Sequence, residues 1–184
     1  MFKRKNTRVS KPCPQPVSSR EKFRHPLLGE ITLNHSPRAR RLSISVRPDG
    51  EVRLTIPCGD NERTALNFLD QKSAWIEQAW RTEAQADLPQ RTARLAGQLG
   101  FRCGAVTVRN ARTRWGSCSA RDDISLSIHL MKLPDELIDY VIIHELCHTI
   151  HKNHGPKFHK LLDRLTGGHH LELRRRLKTY STRW

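Results

Sequence analysis

One apolar helix constrains the fold of this chain more than any other feature. Pro134, followed by Asp135 and Glu136, is typical of a first helical turn. Hydrophobic residues then occupy nearly every side of the helix: Leu137, Ile138, Val141, Ile142, Ile143, Leu146 and Ile150. Because a helix that is hydrophobic all round is normally buried, the sequence predicts that this segment is the central core helix.

The same helix carries two histidines one turn apart. Residues 144–148 read H-E-L-C-H, an H-E-x-x-H motif. Helical spacing places the rings of His144 and His148 on one face, where both can bind one cation, and neutral imidazole suits Zn²⁺ at about 2.0–2.1 Å. Glu145 is rotated by about 100° from His144, so we expect it beside the metal, positioned to take a proton from a zinc-activated water.

A catalytic zinc ion needs a third protein ligand and one open position. His154 is favoured because it follows His148 at nearly the spacing of the H-E-x-x-H-x-x-G-x-x-H motif. It can return to the metal if the helix ends and the chain reverses. Asn153, which tolerates a left-handed conformation, and Gly155-Pro156 favour that reversal.

Other residues stay open as ligands at this point. His159 lies on the next predicted helix, and Glu172 resembles the carboxylate ligand that some zinc peptidases take from a later helix. His151 shares a face with His144 but lies about 10 Å away along the helix axis. Cys118 as a fourth ligand would close the site and make it structural.

The domain organisation follows from changes in composition and periodicity. Residues 1–25 are basic and rich in Pro and Ser, which is typical of a disordered tail. Residues 26–184 are expected to form one domain. Within it we predict a β-hairpin over 38–59, a helical segment over 60–100 and a zinc-binding core over 105–184.

Local residue patterns predict the positions of the individual strands and helices. Apolar residues alternate on both sides of a turn at 48–50: Leu42, Ile44 and Val46, then Val52, Leu54 and Ile56. Asp60 is the expected N-cap of a long helix reaching about residue 86, and a second helical piece ends at Gly100. In the core we predict strands over residues 105–109 and 124–130 and a structured loop over residues 112–119. Two short helices are expected after the H-E-x-x-H helix.

Charge and cysteine content set the remaining expectations. The chain has 184 residues, with 33 Lys and Arg against 18 Asp and Glu and a formal net charge of +15. Such an excess favours acidic partners, so the alternative function is a basic nucleic-acid-binding protein with a structural or inactive zinc site.

Apolar runs are too short for a membrane span. Five cysteines without a C-x-x-C pair do not suggest a disulfide framework, and we predict a cytoplasmic location with most of them acting as small apolar side chains.

Four segments resemble the YgjP-like family of zinc metallopeptidases, which is related to the SprT-like proteases. They are RWGSCS (114–119), ISLSIHL (124–130) with Leu-Pro after it, IDYVIIHELCH (138–148) and NHGPKF (153–158). The similarity covers residues 38–166. It implies an α+β, zincin-like core that hydrolyses peptide bonds of a protein or peptide substrate. It also implies one Zn²⁺ per chain, held by His144, His148 and His154, with Glu145 as the catalytic base.

Three positions depart from the family pattern, and they concern the wall that faces the substrate. Ile128-His129 stand where the family pattern has Asn-Trp, and His159 follows Phe158 where it has tryptophan. Peptide hydrolysis also needs a hydrogen-bond donor for the negative charge that develops on the carbonyl oxygen. Arg114, His129 and Tyr140 are the candidates for that donor, and the sequence does not orient any of them.

Overall fold

The computed structural model describes residues 19–25, 28–47 and 50–182. Within these residues the chain forms two small β-sheets and five α-helices, which confirms the mixed α+β class. Residues 1–18 of the predicted tail lie outside the described residues. None of the described helices is long and apolar enough to span a membrane.

The first sheet has four strands, in the order β1-β2-β4-β3. They are β1 (Ser19–His25), β2 (Gly29–Ser36), β3 (Ser43–Val46) and β4 (Val52–Pro57). Strands β3 and β4 pair antiparallel, as the predicted hairpin requires, and β2 pairs parallel with β4. Strand β1 corrects the tail prediction for residues 19–25. Its sequence, SREKFRH, has no apolar alternation because it is a charged strand at the sheet edge.

The helices are α1 (Glu62–Gln71), α2 (Ser73–Leu99), α3 (Asp135–Ile150), α4 (Pro156–Leu165) and α5 (His170–Leu177). Together α1 and α2 fill the predicted helical segment, but the break falls at Lys72 rather than before residue 90. The N-cap is Asn61, not Asp60, since its side chain accepts a hydrogen bond from the Thr64 amide at 2.7 Å. Gly100 closes α2 in a left-handed conformation, as predicted.

Helix α2 continues through Pro89 because the row of buried residues along one side of the helix continues on both sides of the proline. The buried residues recur at every fourth position: Ile76, Trp80, Ala84, Leu88, Thr92 and Ala96. Arg91 then connects α2 to the start of α3. Its Nε lies 2.5 Å from Asp139 Oδ1, and its Nη1 lies 2.6 Å from Asp135 Oδ1. Helix α3, whose N-cap is Pro134, is thereby fixed against the long helix.

The second sheet lies beside α3 and consists of β5 (Val106–Arg109), β6 (Gly116–Cys118) and β7 (Ile124–Ser127), in the order β5-β7-β6. Strand β5 agrees with the prediction, while β6 forms within the segment expected to be a loop. Strand β7 is shorter than expected because a 3-10 helix begins at Ile128, with the Ser127 side chain accepting a hydrogen bond from the His129 amide.

The cysteines depart in part from the sequence-based expectation. Cys103, Cys118 and Cys147 are free thiols, and Cys147 is buried in α3. Cys58, directly after β4, is disulfide-bonded, although the spacing of the cysteines did not suggest a disulfide. The cytoplasmic location stays a prediction.

Candidate active site

Three histidine rings meet where α3 ends and α4 begins. The Nε2 atom of His154 lies 3.0 Å from Nε2 of His144 and 3.1 Å from Nε2 of His148. The donor atoms of all three side chains lie within 4.8 Å of one another. The structure thus brings together the three residues that the sequence motif and the spacing of His154 single out.

The turn between the two helices returns His154 to the cluster. Helix α3 ends at Ile150, His151 is extended, and Pro156 occupies the first turn of α4. Asn153 and Gly155 both have negative φ, so the left-handed residue expected here is not used. The backbone carbonyl of His151 accepts a hydrogen bond from Nδ1 of His148 at 3.0 Å, which leaves the Nε2 lone pair facing the cluster.

The ring of Phe158 packs against all three histidine rings of the cluster. It is fully buried on α4. Its ring centroid lies 4.9 Å from that of His144, 4.5 Å from that of His148 and 4.8 Å from that of His154. One side chain therefore limits the orientation of every member of the cluster.

The three nitrogen atoms fit a cation better than they fit one another. A neutral imidazole carries one N–H and one lone pair. With the proton of His148 on Nδ1, at most one of the two contacts that Nε2 of His154 makes can be a well-formed hydrogen bond, and the other brings two nitrogen atoms together without a proton directed between them. A cation that accepts all three lone pairs removes this conflict. Burial lowers the pKa of His144 to about 3, so it is neutral, as metal binding requires.

Glu145 lies beside the cluster rather than in it. The side chain is 6% exposed, and burial raises its pKa to about 7, while the positive charge of Arg114 opposes that rise. It packs directly against β6, where a methyl group added at Gly116 would lie 2.8 Å from Glu145 Cγ and 2.9 Å from Oε1. A carboxyl group with a raised pKa is suited to accept and then release a proton.

Replacing Gly116 by alanine should displace this carboxyl group. We expect kcat/KM for peptide hydrolysis to fall by about 100-fold, because a shift of about 1 Å at a reacting group has that effect, while zinc content is unchanged. Gly97→Ala is the control, since apart from the neighbouring residues and backbone of its own helix no atom lies within 4 Å of the added methyl group. Equal activity of both variants would show that the contact between β6 and Glu145 does not position the carboxyl group.

A cavity of about 520 Å³ opens over Glu145, His144 and His154. Two of the three candidate donors for the carbonyl oxygen, Arg114 and Tyr140, line it. His129 does not. It is fully buried in the 3-10 helix, its Nε2 lies 3.0 Å from Asn110 Oδ1, and burial lowers its pKa to about 4.

The alternative ligands lie outside the cluster. Glu172 pairs with His169 at the surface, with 3.5 Å between Oε2 and Nδ1, and Lys152 Nζ contacts the sulfur of Cys118 at 3.9 Å. His159 lines the cavity next to His154 and contacts His170. No sequence pattern indicated a function for His170, because histidines directly after Gly167-Gly168 are typical of a polar helix start.

Comparison with known proteins identifies a family for this chain. The model of the YgjP-like metallopeptidase domain matches residues 76–180. No curated protein matches the chain. Among solved structures, the metallopeptidase zymogen of Methanocaldococcus jannaschii jannalysin is 21% identical with a TM-score of 0.45, over 50% of this chain and 95% of that chain. The zymogen of Pyrococcus abyssi abylysin is 23% identical with a TM-score of 0.44, over 50% and 92%. Because the family model covers more than half of its residues, this chain belongs to the YgjP-like metallopeptidase family.

Proposed function

We propose that this chain is a zinc-dependent peptidase that binds one Zn²⁺ through His144, His148 and His154. The observation that carries the proposal is the convergence of three Nε2 atoms beside a buried carboxyl group in an open cavity. Membership of a metallopeptidase family supports the same reaction class. The substrates are proteins or peptides.

The bound metal would act as a Lewis acid, polarising the scissile carbonyl group and lowering the pKa of a water molecule toward about 7. Glu145 accepts a proton from the attacking water as the water oxygen adds to the carbonyl carbon. The electron pair of the C=O π bond moves to the carbonyl oxygen. When that pair returns and the C–N bond breaks, Glu145 transfers its proton to the leaving amine.

Metal removal tests this proposal. The purified full chain, loaded with one equivalent of Zn²⁺, is incubated with unfolded casein and with a mixed peptide library, and cleavage is followed by mass spectrometry. We expect cleavage that 1,10-phenanthroline abolishes and added Zn²⁺ restores. A zinc-loaded chain that cleaves neither, yet binds DNA or RNA with strongly salt-dependent affinity, would contradict the proposal in favour of the nucleic-acid-binding alternative.

A further inference from the structure

A second pair of histidines lies next to the three-histidine cluster. The Nδ1 atom of His159 on α4 is 3.3 Å from the Nε2 atom of His170 at the start of α5. The His159 ring is nearly parallel to that of His154, with an interplanar angle of 29° and 6.3 Å between the centroids. Both His159 and His170 line the cavity. His159 is thus a neighbour of a proposed zinc ligand without belonging to the ligand cluster.

Tyr140 determines which nitrogen of His170 carries the proton. Tyr140 is 3% exposed, and its hydroxyl oxygen lies 3.1 Å from His170 Nδ1. Among the described residues, that nitrogen is the hydroxyl's one hydrogen-bond partner. Since a buried hydroxyl proton without an acceptor is unfavourable, Tyr140 donates and Nδ1 accepts. Burial lowers the pKa of His170, so the ring is neutral and its proton is on Nε2.

The same reasoning extends to His159. Nε2 of His170 donates to Nδ1 of His159. Because Nδ1 of His159 accepts this hydrogen bond, the proton of the His159 ring is on Nε2. No residue in the described part of the chain accepts a hydrogen bond from that N–H. The hydrogen-bonded series Tyr140, His170, His159 therefore ends in a donor on a side chain that lines the cavity.

We propose that the Nε2–H group of His159 binds the carbonyl oxygen of the substrate as negative charge develops on it. This inference rests on the proposed function and adds a residue to it: His159 is catalytic, and Tyr140 and His170 are positioning residues. The C=O π electron pair moves to the oxygen as water adds to the carbon, and His159 donates a hydrogen bond without transferring its proton. A preorganised donor is effective here because it needs no reorientation during the reaction.

The charges around the cavity favour the same role. Arg174 and Lys178 of the C-terminal region line it together with Arg114, and Glu145 is the one acidic residue among the lining residues described. A developing anion on the His159 side therefore experiences a positive potential. Tyr140, a candidate donor from the sequence, acts through His170 instead of contacting the substrate.

The first test determines the tautomer of His159 directly, in the metal-free full chain. Long-range ¹H–¹⁵N correlation spectra of ¹⁵N-histidine-labelled protein at neutral pH should show His159 protonated on Nε2 and unprotonated on Nδ1. Tyr140→Phe removes the first donor of the series and should give a mixture of tautomers at His170 and His159. A wild-type His159 protonated on Nδ1 would overturn the inference.

The second test measures what the donor binds. We use an N-phosphoryl dipeptide, phosphoryl-Leu-Ala, whose tetrahedral anionic oxygens resemble the charged carbonyl oxygen. In zinc-loaded His159→Leu, its affinity and the kcat for peptides should each fall by about 100-fold or more, with KM and zinc content nearly unchanged. His159→Gln, which keeps an N–H donor, should lose less. His169→Leu is the control, because His169 is exposed and pairs with Glu172.

The outcomes separate this inference from the proposed function. A wild type that binds zinc and the phosphoryl dipeptide but cleaves no peptide contradicts the peptidase proposal. In that case the role of His159 is still decided by comparing the affinity of the wild type for the dipeptide with that of His159→Leu. Equal affinity and equal kcat in wild type and His159→Leu would overturn the inference and leave the peptidase proposal in place. A zinc-loaded wild type that does not bind the dipeptide would also overturn the inference.

Discussion

Glu145→Gln is expected to lower kcat by about a thousandfold, the typical contribution of a general base, while zinc content stays at about one ion per chain. Glutamine has the shape of glutamate but cannot accept the proton of the attacking water. Because Glu145 is outside the three-histidine cluster, the metal ligands are unchanged. The measurement combines steady-state kinetics with elemental analysis of the same sample.

The stability of this variant distinguishes a catalytic from a structural role. Burial disfavours the charged form of Glu145 and raises its pKa to about 7, so a neutral amide should leave the melting temperature unchanged or higher. Glu172→Gln, at an exposed glutamate, serves as the matched control and should keep full activity. A Glu145→Gln variant that retains wild-type kcat would show that another group accepts the proton.

Phe158→Ala is expected to have the second largest effect, on both stability and zinc affinity. Removing a fully buried aromatic ring costs about 3–5 kcal/mol in the free energy of unfolding. All three histidine rings also lose the surface that orients them, and we expect zinc affinity to fall at least about tenfold, the lower range for loss of a residue that orients metal ligands. Urea denaturation and zinc titration against a chelating dye measure the two effects.

Leu69→Ala is the matched control for this variant. Leu69 is fully buried in α1, away from the cluster, so its truncation should destabilise the fold by about 2–5 kcal/mol without lowering the zinc affinity of the folded protein. If the two variants bind zinc equally well, Phe158 contributes to packing alone and does not orient the histidines.

The parts of the fold that could be predicted are those with a local pattern. The β3–β4 hairpin follows from residues that alternate over a short turn, and the buried helix α3 follows from apolar residues on all its sides. The clustering of His144, His148 and His154 could be predicted because helical spacing fixes the first two and a short turn limits the third. Each of these depends on residues close together in the chain.

The parts that could not be predicted depend on distant partners. Strand β2 pairs parallel with β4, although β3 lies between them in the sequence. The charged edge strand β1 has no apolar alternation, and in β2 only Ile31 and Leu33 alternate with polar residues. The alternation at 124–130 suggested a longer strand, but the Ser127 cap starts a 3-10 helix that buries His129. The contact between Tyr140 and His170 spans 30 residues, and no local pattern connects the two.

The most direct test of the central claim is the number of zinc ions per chain. It is measured by elemental analysis in protein purified without added metal, with His154→Ala prepared in parallel. We expect about one zinc ion per wild-type chain and a large loss in the variant, because His154 supplies one of the three converging nitrogen atoms. A folded wild type that neither contains nor takes up zinc, or a His154→Ala variant at full occupancy, would contradict the three-histidine zinc site.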